Sequence, residues 1–236
     1  MSEPLEVLRR DLDDDAPTKR MVALARLRKL PAEQAFPLIR PLLGDPHPQV
    51  RSMAIWGIGL KPGPSALRDL LDVLDREQDT NLRAMAAGAL GQLGDPGALG
   101  VLQRLFLEET EWIVRYSAIV SLGNIADPRA QALLLQGLED DDALMHQAAI
   151  SALGEIGAMA ALPRLRRFCD SDDWLLRQRL AHALASLGSA PDPQGMAPAE
   201  ADALRQQAYQ CLLSLAEDDH LQVREAANHG LGLLQH

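Results

Sequence analysis

The chain is poor in the side chains from which sheets and disulfide-rich folds are built. Aromatic residues make up 3% of its 236 residues, only two cysteines occur, and runs of β-branched residues are absent. Because strands favour aromatic and β-branched residues, no sheet is expected. Cys169 and Cys211 lack the spacing of a disulfide framework or a metal site. Both fall within apolar helical patterns, so we expect them to be core thiols.

Positive charge and long apolar segments are also scarce. The chain has 23 Lys and Arg against 33 Asp and Glu, which gives a net charge of −10. Contacts with nucleic-acid phosphates need clustered Lys and Arg, so no nucleic-acid partner is expected. No run of 18 apolar residues occurs, and the N-terminus has no apolar signal segment. We therefore expect no membrane span and a soluble, cytoplasmic protein.

One pattern returns along the whole sequence and is clearest in 111–128, EWIVRYSAIVSLGNIADP. It can be aligned on one central residue in each copy, and these residues are Arg20, Arg51, Arg83, Arg115, His146, Arg177 and Arg224. Successive central residues are 31 or 32 positions apart, except that the last step is 47. A period of this length is typical of a solenoid built from stacked repeats.

Each repeat contains two segments with helical spacing, here called the A helix and the B helix, and the central residue (position 0) lies in the B helix. Positions −1, +3, +4, +7 and +10 are apolar or small, +6 is mostly tiny, and +8 is glycine in five repeats. We expect the first five positions to face inward. In two repeats an Asp-Pro pair precedes an A helix. Such a pair favours a helix start, because Asp can cap free N–H groups and Pro lacks the backbone N–H that would be left unpaired there.

We therefore predict an all-α fold, an α-solenoid of about seven antiparallel helix pairs curved as a right-handed superhelix, and a single domain over 1–236. The predicted pairs are Pro4–Leu12 with Pro17–Lys29, Ala32–Leu43 with Pro48–Gly59, Ser65–Leu74 with Thr80–Gly91, Gly97–Leu107 with Glu111–Gly123, Arg129–Leu138 with Ala143–Gly154, Leu162–Phe168 with Trp174–Leu187, and Asp202–Ala216 with Leu221–Leu234. The long step is explained by a Pro-rich inserted loop at 189–201, which is either a mobile insertion or a binding loop with Met196 at its tip.

Acidic residues recur six positions before the central residue, at Asp14, Asp45, Glu77, Glu109, Asp140 and Asp218. A feature that is present in nearly every repeat serves stacking, so we interpret it as a ladder. Its carboxylates would bind helix N-termini and neighbouring arginines. His146 replaces the arginine of one repeat, where we expect the loss of one ladder contact or, alternatively, a pH-sensitive contact.

Functional side chains should differ between repeats and lie outside the inward positions. Positions +1, +5 and +9 form a second stripe on the B helices, which we expect to line the concave face of the solenoid. In the middle repeats this stripe mixes hydroxyl, amide, carboxylate and imidazole groups, and two tryptophans lie at its edge. The predicted binding residues are Trp112, Tyr116, Asn124, Gln147, Glu155, Trp174, Gln178 and His182. The two tryptophans could instead fill seams between repeats, and His182 could be an ordinary surface histidine.

The repeat, Val-Arg-x-x-Ala-x-x-x-Leu-Gly followed by Asp-Pro, resembles the short HEAT-like repeats named after phycobilisome lyases, over nearly the whole chain. The segments 111–118 and 121–124 are most similar to the branch of phycobilin lyase subunits and NblB-type phycobilisome degradation proteins, and 173–177 is a looser copy. The sequence departs from this pattern at His146, at Leu180 and in the insert.

The resemblance implies a non-catalytic module that binds a phycobiliprotein and acts in phycobilisome turnover. One alternative is a subunit of a heterodimeric phycobilin lyase, which would attach or detach a bilin together with a second HEAT-like subunit. There, Tyr116, Asn124, Glu155 and His182 would orient the bilin, with Glu155 or His182 as the acid–base residue. A further alternative is a general protein-interaction scaffold such as an iron–sulfur assembly factor. No metal or resident cofactor is expected, only a transient bilin.

Known enzymes with this fold are not supported by the sequence. HEAT-repeat di-iron hydroxylases need paired His-Glu dipeptides, and no histidine here is followed by glutamate. HEAT-like DNA glycosylases need a basic groove, whereas this chain is acidic. Ser-His-Asp, Walker and Rossmann motifs are absent in the structural context that they require.

Overall fold

The computed structural model describes residues 5–191 and 196–234, and every regular element in these ranges is helical. The all-α prediction is therefore confirmed. The α-helices are α1 (Leu5–Leu12), α2 (Pro17–Leu27), α3 (Ala32–Ile39), α4 (Pro48–Leu60), α5 (Ala66–Arg76), α6 (Thr80–Leu93), α7 (Leu99–Glu108), α8 (Trp112–Ile125), α9 (Gln131–Gly137), α10 (Ala143–Glu155), α11 (Leu162–Leu165), α12 (Trp174–Gly188), α13 (Pro198–Leu215) and α14 (Leu221–Leu233). The odd-numbered helices are A helices and the even-numbered ones are B helices.

The chain divides into two compact units, Met1–Ser121 and Leu122–His236. In the first unit the B helices α2, α4 and α6 pack side by side, and in the second α10, α12 and α14 do the same. The A helices pack against them, as α5 does on α6 and α13 on α14. Among the helices of the described ranges, none combines the length and the apolar character needed to cross a membrane.

The predicted inward positions form the core. On α8, residues Val114, Ala118, Ile119, Leu122 and Ile125 are all buried. Most of these positions are also buried in the other repeats, for example at Val50, Ala54, Ile55 and Ile58, whereas Lys19 in the first repeat and Asn228 in the last are exposed. Because a pair of short helices is marginal alone, the burial of this stripe between neighbouring repeats stabilises each of them.

The glycine at +8 lets successive B helices approach to backbone contact. A Cβ atom added to Gly154 would lie 2.8 Å from the Cα of Ala183, which is the +6 residue of the next repeat. In the last repeat the glycine lies at the other position of the pair, since a Cβ on Gly230 (+6) would lie 2.9 Å from the Cβ of Ala185 (+8). The +8 glycines that meet the next repeat in this way also include Gly59, Gly91 and Gly123. One member of each contact is thus small enough for the helices to touch.

The predicted ladder of charges is present, and three of its arginines, Arg20, Arg51 and Arg177, bind in two directions. Arg20 donates to the carboxylate of Asp45 from Nε at 2.7 Å and from Nη2 at 2.8 Å. Its Nη1 donates to the backbone carbonyl of Asp14, six residues earlier, at 2.8 Å. The arginine therefore joins the loop of its own repeat to the loop of the next one. The same pair of contacts is made by Arg51 with Glu77 and Asp45, and by Arg177 with Asp218 and Ser171.

The ladder contacts lower the pKa values of two of its carboxylates, Asp45 and Asp218. Burial by itself would raise the pKa of Asp45, but the Arg20 guanidinium and the His47 N–H outweigh it and hold this pKa below its usual range. The Arg177 guanidinium likewise lowers the pKa of Asp218. A carboxylate with a lowered folded-state pKa stabilises the fold above its unfolded-state pKa, and this stabilisation is lost as pH falls through the folded-state value.

The ladder is interrupted at His146. Its Nε2 lies 2.6 Å from the carbonyl oxygen of Asp140, so the bond to its own loop is kept. Ser171 stands 25 residues later, where Asp45 stands relative to Arg20. Both partners of the ion pair are thus replaced together, and the expected loss of one ladder contact is confirmed.

The helices differ from the predicted bounds where prolines occur. The predicted A helix Ala32–Leu43 ends as an α-helix at Ile39 and continues as a 3₁₀ segment, Arg40–Gly44, because Pro41 has no N–H to continue the α-helical bonding. The helix predicted to begin at Asp202 begins at Pro198, since Pro is well suited to the first helical position. The loop after α12 therefore ends at 197 instead of 201, and its residues 192–195 lie outside the described ranges.

Candidate functional site

Two aromatic residues form an exposed surface at the start of α8. Trp112 is the first residue of the helix and has 51% of its surface exposed. Tyr116 follows four residues later, on the same side of the helix, and is half-buried. Within the described ranges, neither a ring partner for Trp112 nor a hydrogen bond of the Tyr116 hydroxyl occurs. We call these two residues the α8 surface. Asn124, near the end of the helix, is exposed.

A second set of predicted residues lies along α12 at intervals of four. Trp174 is 39% exposed, Gln178 is half-buried and His182 is exposed. The Trp174 ring also stacks on His220, with the ring centroids 4.0 Å apart and the planes at 15°. Trp174 therefore contributes to the seam with the last repeat and still presents part of its ring to solvent. We call Trp174, Gln178 and His182 the α12 surface.

The prediction that Gln147 is available to a partner is wrong. Its side chain is buried, and its Nε2 donates to Asp173 Oδ2 at 2.8 Å. The other oxygen of Asp173 accepts from the N–H of Leu175 at 2.9 Å and so caps α12. Gln147 thus holds the capping carboxylate of the next repeat, and its amide is not available for a partner.

Glu155 ends α10 and covers a glycine of the preceding repeat. A Cβ atom on Gly123 would lie 2.6 Å from Glu155 Oε2. Partial desolvation raises the pKa of Glu155, and the described ranges contain no hydrogen bond or ion pair of its carboxylate. Gln92 covers Gly59 in the same way in an earlier repeat, with its Oε1 2.7 Å from the equivalent Cβ position. The packing over the glycine therefore does not require an acidic side chain at the position of Glu155. A carboxyl group with a raised pKa is, however, suited to proton transfer.

Glu155 and His182 are not assembled into a catalytic pair. They lie on different helices, α10 and α12, and within the described part of the chain no hydrogen bond joins them or orients the His182 ring. An acid–base role would thus fall to either residue alone, acting on a bound substrate.

Two clefts were not anticipated from the sequence. One, of about 960 Å³, lies in the first unit and is lined by Phe36, Arg40 and Asp69 among others. Asp69 is buried and accepts from Arg40 Nε at 2.8 Å. The other, of about 520 Å³, lies in the second unit and is lined by Cys169 and Cys211. Cys211 is buried as expected of a core thiol, but Cys169 is only half-buried, and the two meet although 42 positions separate them.

Several solved structures are similar to the chain. One is the complex of CpcE and CpcF of phycocyanin lyase from Nostoc sp., with a TM-score of 0.62, 20% identity, and 99% of this chain and 96% of the other covered. An engineered protein is 23% identical, covers 99% of both chains and has a TM-score of 0.56. The Escherichia coli protein YibA is 18% identical over 93% of this chain and 76% of its own, with a TM-score of 0.59. At these identities the similarity shows the fold.

Sequence comparison agrees with the structural one. None of the curated protein sequences compared with the chain matches it. The family profile of HEAT repeats matches at residues 3–80, 37–123, 67–153 and 107–185, which together span more than half of the chain. The periodic helix pairs, the small residues between B helices and this match lead to one conclusion: the chain is a member of the HEAT-repeat family.

Proposed function

We propose that the chain is a protein-binding HEAT-repeat module whose α8 and α12 surfaces contact a phycobiliprotein. The observation that carries the proposal is the exposure of two of the three tryptophans, at 51% for Trp112 and 39% for Trp174. Stacking of the repeats depends on the ladder and on the small residues at +6 and +8. Exposed Trp and Tyr side chains are the kind of residue that dominates the binding energy of protein interfaces.

The resemblance of 111–128 to phycobilisome-related repeats supports a phycobiliprotein as the client. A degradation factor of the NblB type needs to grip such a client and requires no catalytic group of its own. This function fits a surface built of aromatic, amide and imidazole side chains, since these adapt to a partner without bringing an unpaired charge into the interface.

Replacing Trp112 or Tyr116 with alanine is expected to weaken binding of a purified phycobiliprotein by about 2 kcal/mol, roughly 30-fold in Kd. The melting temperature should change by no more than a degree or two, because neither side chain belongs to the core. Isothermal titration calorimetry and thermal denaturation measure the two effects.

The control for this pair is Val22→Ala. Val22 lies on B helix α2 and is 50% exposed. The substitution therefore removes a similarly exposed apolar side chain outside the proposed surfaces. Binding by the Val22→Ala variant should equal that of the wild type. Equal weakening by all three substitutions, or binding lost only in proportion to unfolded protein, would reject the α8 surface.

A second candidate is a subunit of a heterodimeric phycobilin lyase that acts with a second HEAT-like chain. The similarity to the CpcE–CpcF complex over 99% of this chain favours this candidate over a degradation factor, although it demonstrates only a common fold. The chemical support is Glu155, whose carboxyl group has a raised pKa and no partner among the described residues. As a general acid it would protonate a bound bilin during attachment or detachment.

The Glu155→Gln variant separates the two candidates. Because Gln92 occupies the same position over Gly59, we expect the variant to fold normally and to bind the client as the wild type does. Bilin transfer should fall about 10²–10⁴-fold, the usual contribution of a general acid. The assay follows visible absorbance with apo-phycocyanin, free bilin and CpcE or CpcF as the second subunit. Unchanged transfer by the variant, or no transfer by the wild type, would reject the lyase candidate.

A further inference from the structure

The two cysteines of the chain are brought to one cleft by the packing of two elements in the second unit. Cys169 follows the short 3₁₀ segment Arg166–Phe168, and Cys211 lies within α13. Because α11 and the 3₁₀ segment before it, Met159–Ala161, pack against α13, both cysteines line the cleft of about 520 Å³. Cys211 has 7% of its surface exposed and Cys169 is half-buried. Both cysteines therefore lie at the wall of the same cleft.

The surroundings of the pair favour one thiolate. Interaction with the neighbouring Cys169 thiol, with a contribution from the Arg166 guanidinium, lowers the pKa of Cys211 to about 7. Interaction with Cys211, together with burial, raises the pKa of Cys169. The negative charge of Asp170, which also lines the cleft, acts to raise the pKa of Cys211. The glutamines that α13 contributes to the cleft, Gln206, Gln207 and Gln210, are uncharged.

Arg166 is an exposed cation at the cleft. No ion pair ties it to a carboxylate within the described ranges, and its charge remains available to an anionic solute. The glutamine amides opposite can donate to and accept from peptide groups. A cleft with a cation, three amides and two thiols has the complementary chemistry for a small acidic peptide that carries sulfur.

We propose that Cys169 and Cys211 form a redox-active dithiol, which a low-molecular-weight acidic peptide disulfide of the glutathione class oxidises to an internal disulfide. The proposal is independent of the proposed function, since neither cysteine belongs to the α8 or the α12 surface. It assigns to this cleft a reversible covalent modification that ties the segment after α11 to α13.

The reaction proceeds in two exchange steps. The Cys211 thiolate attacks one sulfur of the peptide disulfide, which breaks its S–S bond and releases one peptide thiolate that takes up a proton. Cys169 then loses its proton and attacks the Cys211 sulfur, which releases the second peptide as a thiolate. Overall, two protein thiols are oxidised to one disulfide, and one peptide disulfide is reduced to two thiols.

The test treats the reduced full-length protein with oxidised glutathione at pH 7.5 and measures intact mass and non-reduced tryptic peptides. We expect the loss of two hydrogens and a cross-linked peptide pair containing Cys169 and Cys211, both reversed by dithiothreitol. The Cys169→Ser variant should stop at the first step and accumulate one glutathionyl group on Cys211. The Cys211→Ser variant should react at least tenfold more slowly than Cys169→Ser.

The wild-type measurement is sufficient even if one variant folds poorly, and thermal denaturation of each variant checks this. Two free thiols after treatment, or a glutathionyl group on each cysteine without an internal disulfide, would overturn the proposal. Equal reaction rates of the two folded single variants would overturn the assignment of Cys211 as the attacking thiolate.

Discussion

Replacing Asp45 with alanine is expected to lower the free energy of unfolding by about 3–5 kcal/mol, which is the usual cost of leaving one member of a buried ion pair alone. The side chains of Arg20 and Asp45 are only 9% and 4% exposed. Asp45 also accepts the His47 N–H at 2.8 Å, so the variant leaves a second donor unpaired. Urea denaturation of the wild type and the variant measures the difference.

The control for this substitution is Asp202→Ala. Asp202 pairs with Arg205 at 3.2 Å, but its side chain is 76% exposed. An exposed ion pair contributes little to stability, so the free energy of unfolding should fall by less than about 0.5 kcal/mol. If both variants lose the same stability, the ladder is a surface feature and does not hold the repeats together.

Replacing Gly154 and Gly232 with alanine is expected to change stability in opposite directions. Both glycines stand at +8 of a B helix, but only Gly154 meets a following repeat. A Cβ there would lie 2.8 Å from the Ala183 backbone, and this overpacking costs about 1–3 kcal/mol. A Cβ on Gly232 meets nothing within 4 Å, so alanine should stabilise the helix by about 0.5–1 kcal/mol.

The pair of variants is its own control, because helix propensity favours alanine equally at both sites. Thermal denaturation of each variant against the wild type provides the measurement. Stabilisation by both substitutions would show that the B helices are not in backbone contact at +8. Destabilisation by both would show that glycine is needed there for a reason other than the contact with the next repeat.

Much of the fold follows from the sequence because each repeat solves the same packing problem. The apolar stripe represented by Val114, Ala118 and Leu122 fixes the inward face of a B helix without knowledge of its neighbours. Asp45 and Arg20 reveal the ladder because the same pair recurs in other repeats. The glycine at +8 is equally visible in the sequence. The reason for it is contact with the +6 residue of the next repeat, and this contact is seen only when the helices are stacked.

The site is less predictable, since exposure depends on contacts that repeat spacing does not determine. Gln147 shares its position with Tyr116 and Gln178, yet it is buried because Asp173 lies within reach of its amide. Cys169 and Cys211 are separated by the Pro-rich insert, and only the packing of α13 brings them together. Such contacts link residues in neighbouring repeats that have no recurrent partner, and no periodic signal marks them.

The most direct test of the proposed function is oxidative footprinting of the tryptophans with and without a bound phycobiliprotein. Trp112 and Trp174 are exposed, whereas Trp56 is half-buried beneath Arg28, whose guanidinium lies 4.8 Å from the Trp56 ring, and so provides an internal reference. If the α8 and α12 surfaces bind the client, labelling of Trp112 and Trp174 should fall severalfold in the complex while labelling of Trp56 stays constant. Equal labelling of Trp112 and Trp174 in the free and bound protein would contradict the proposal.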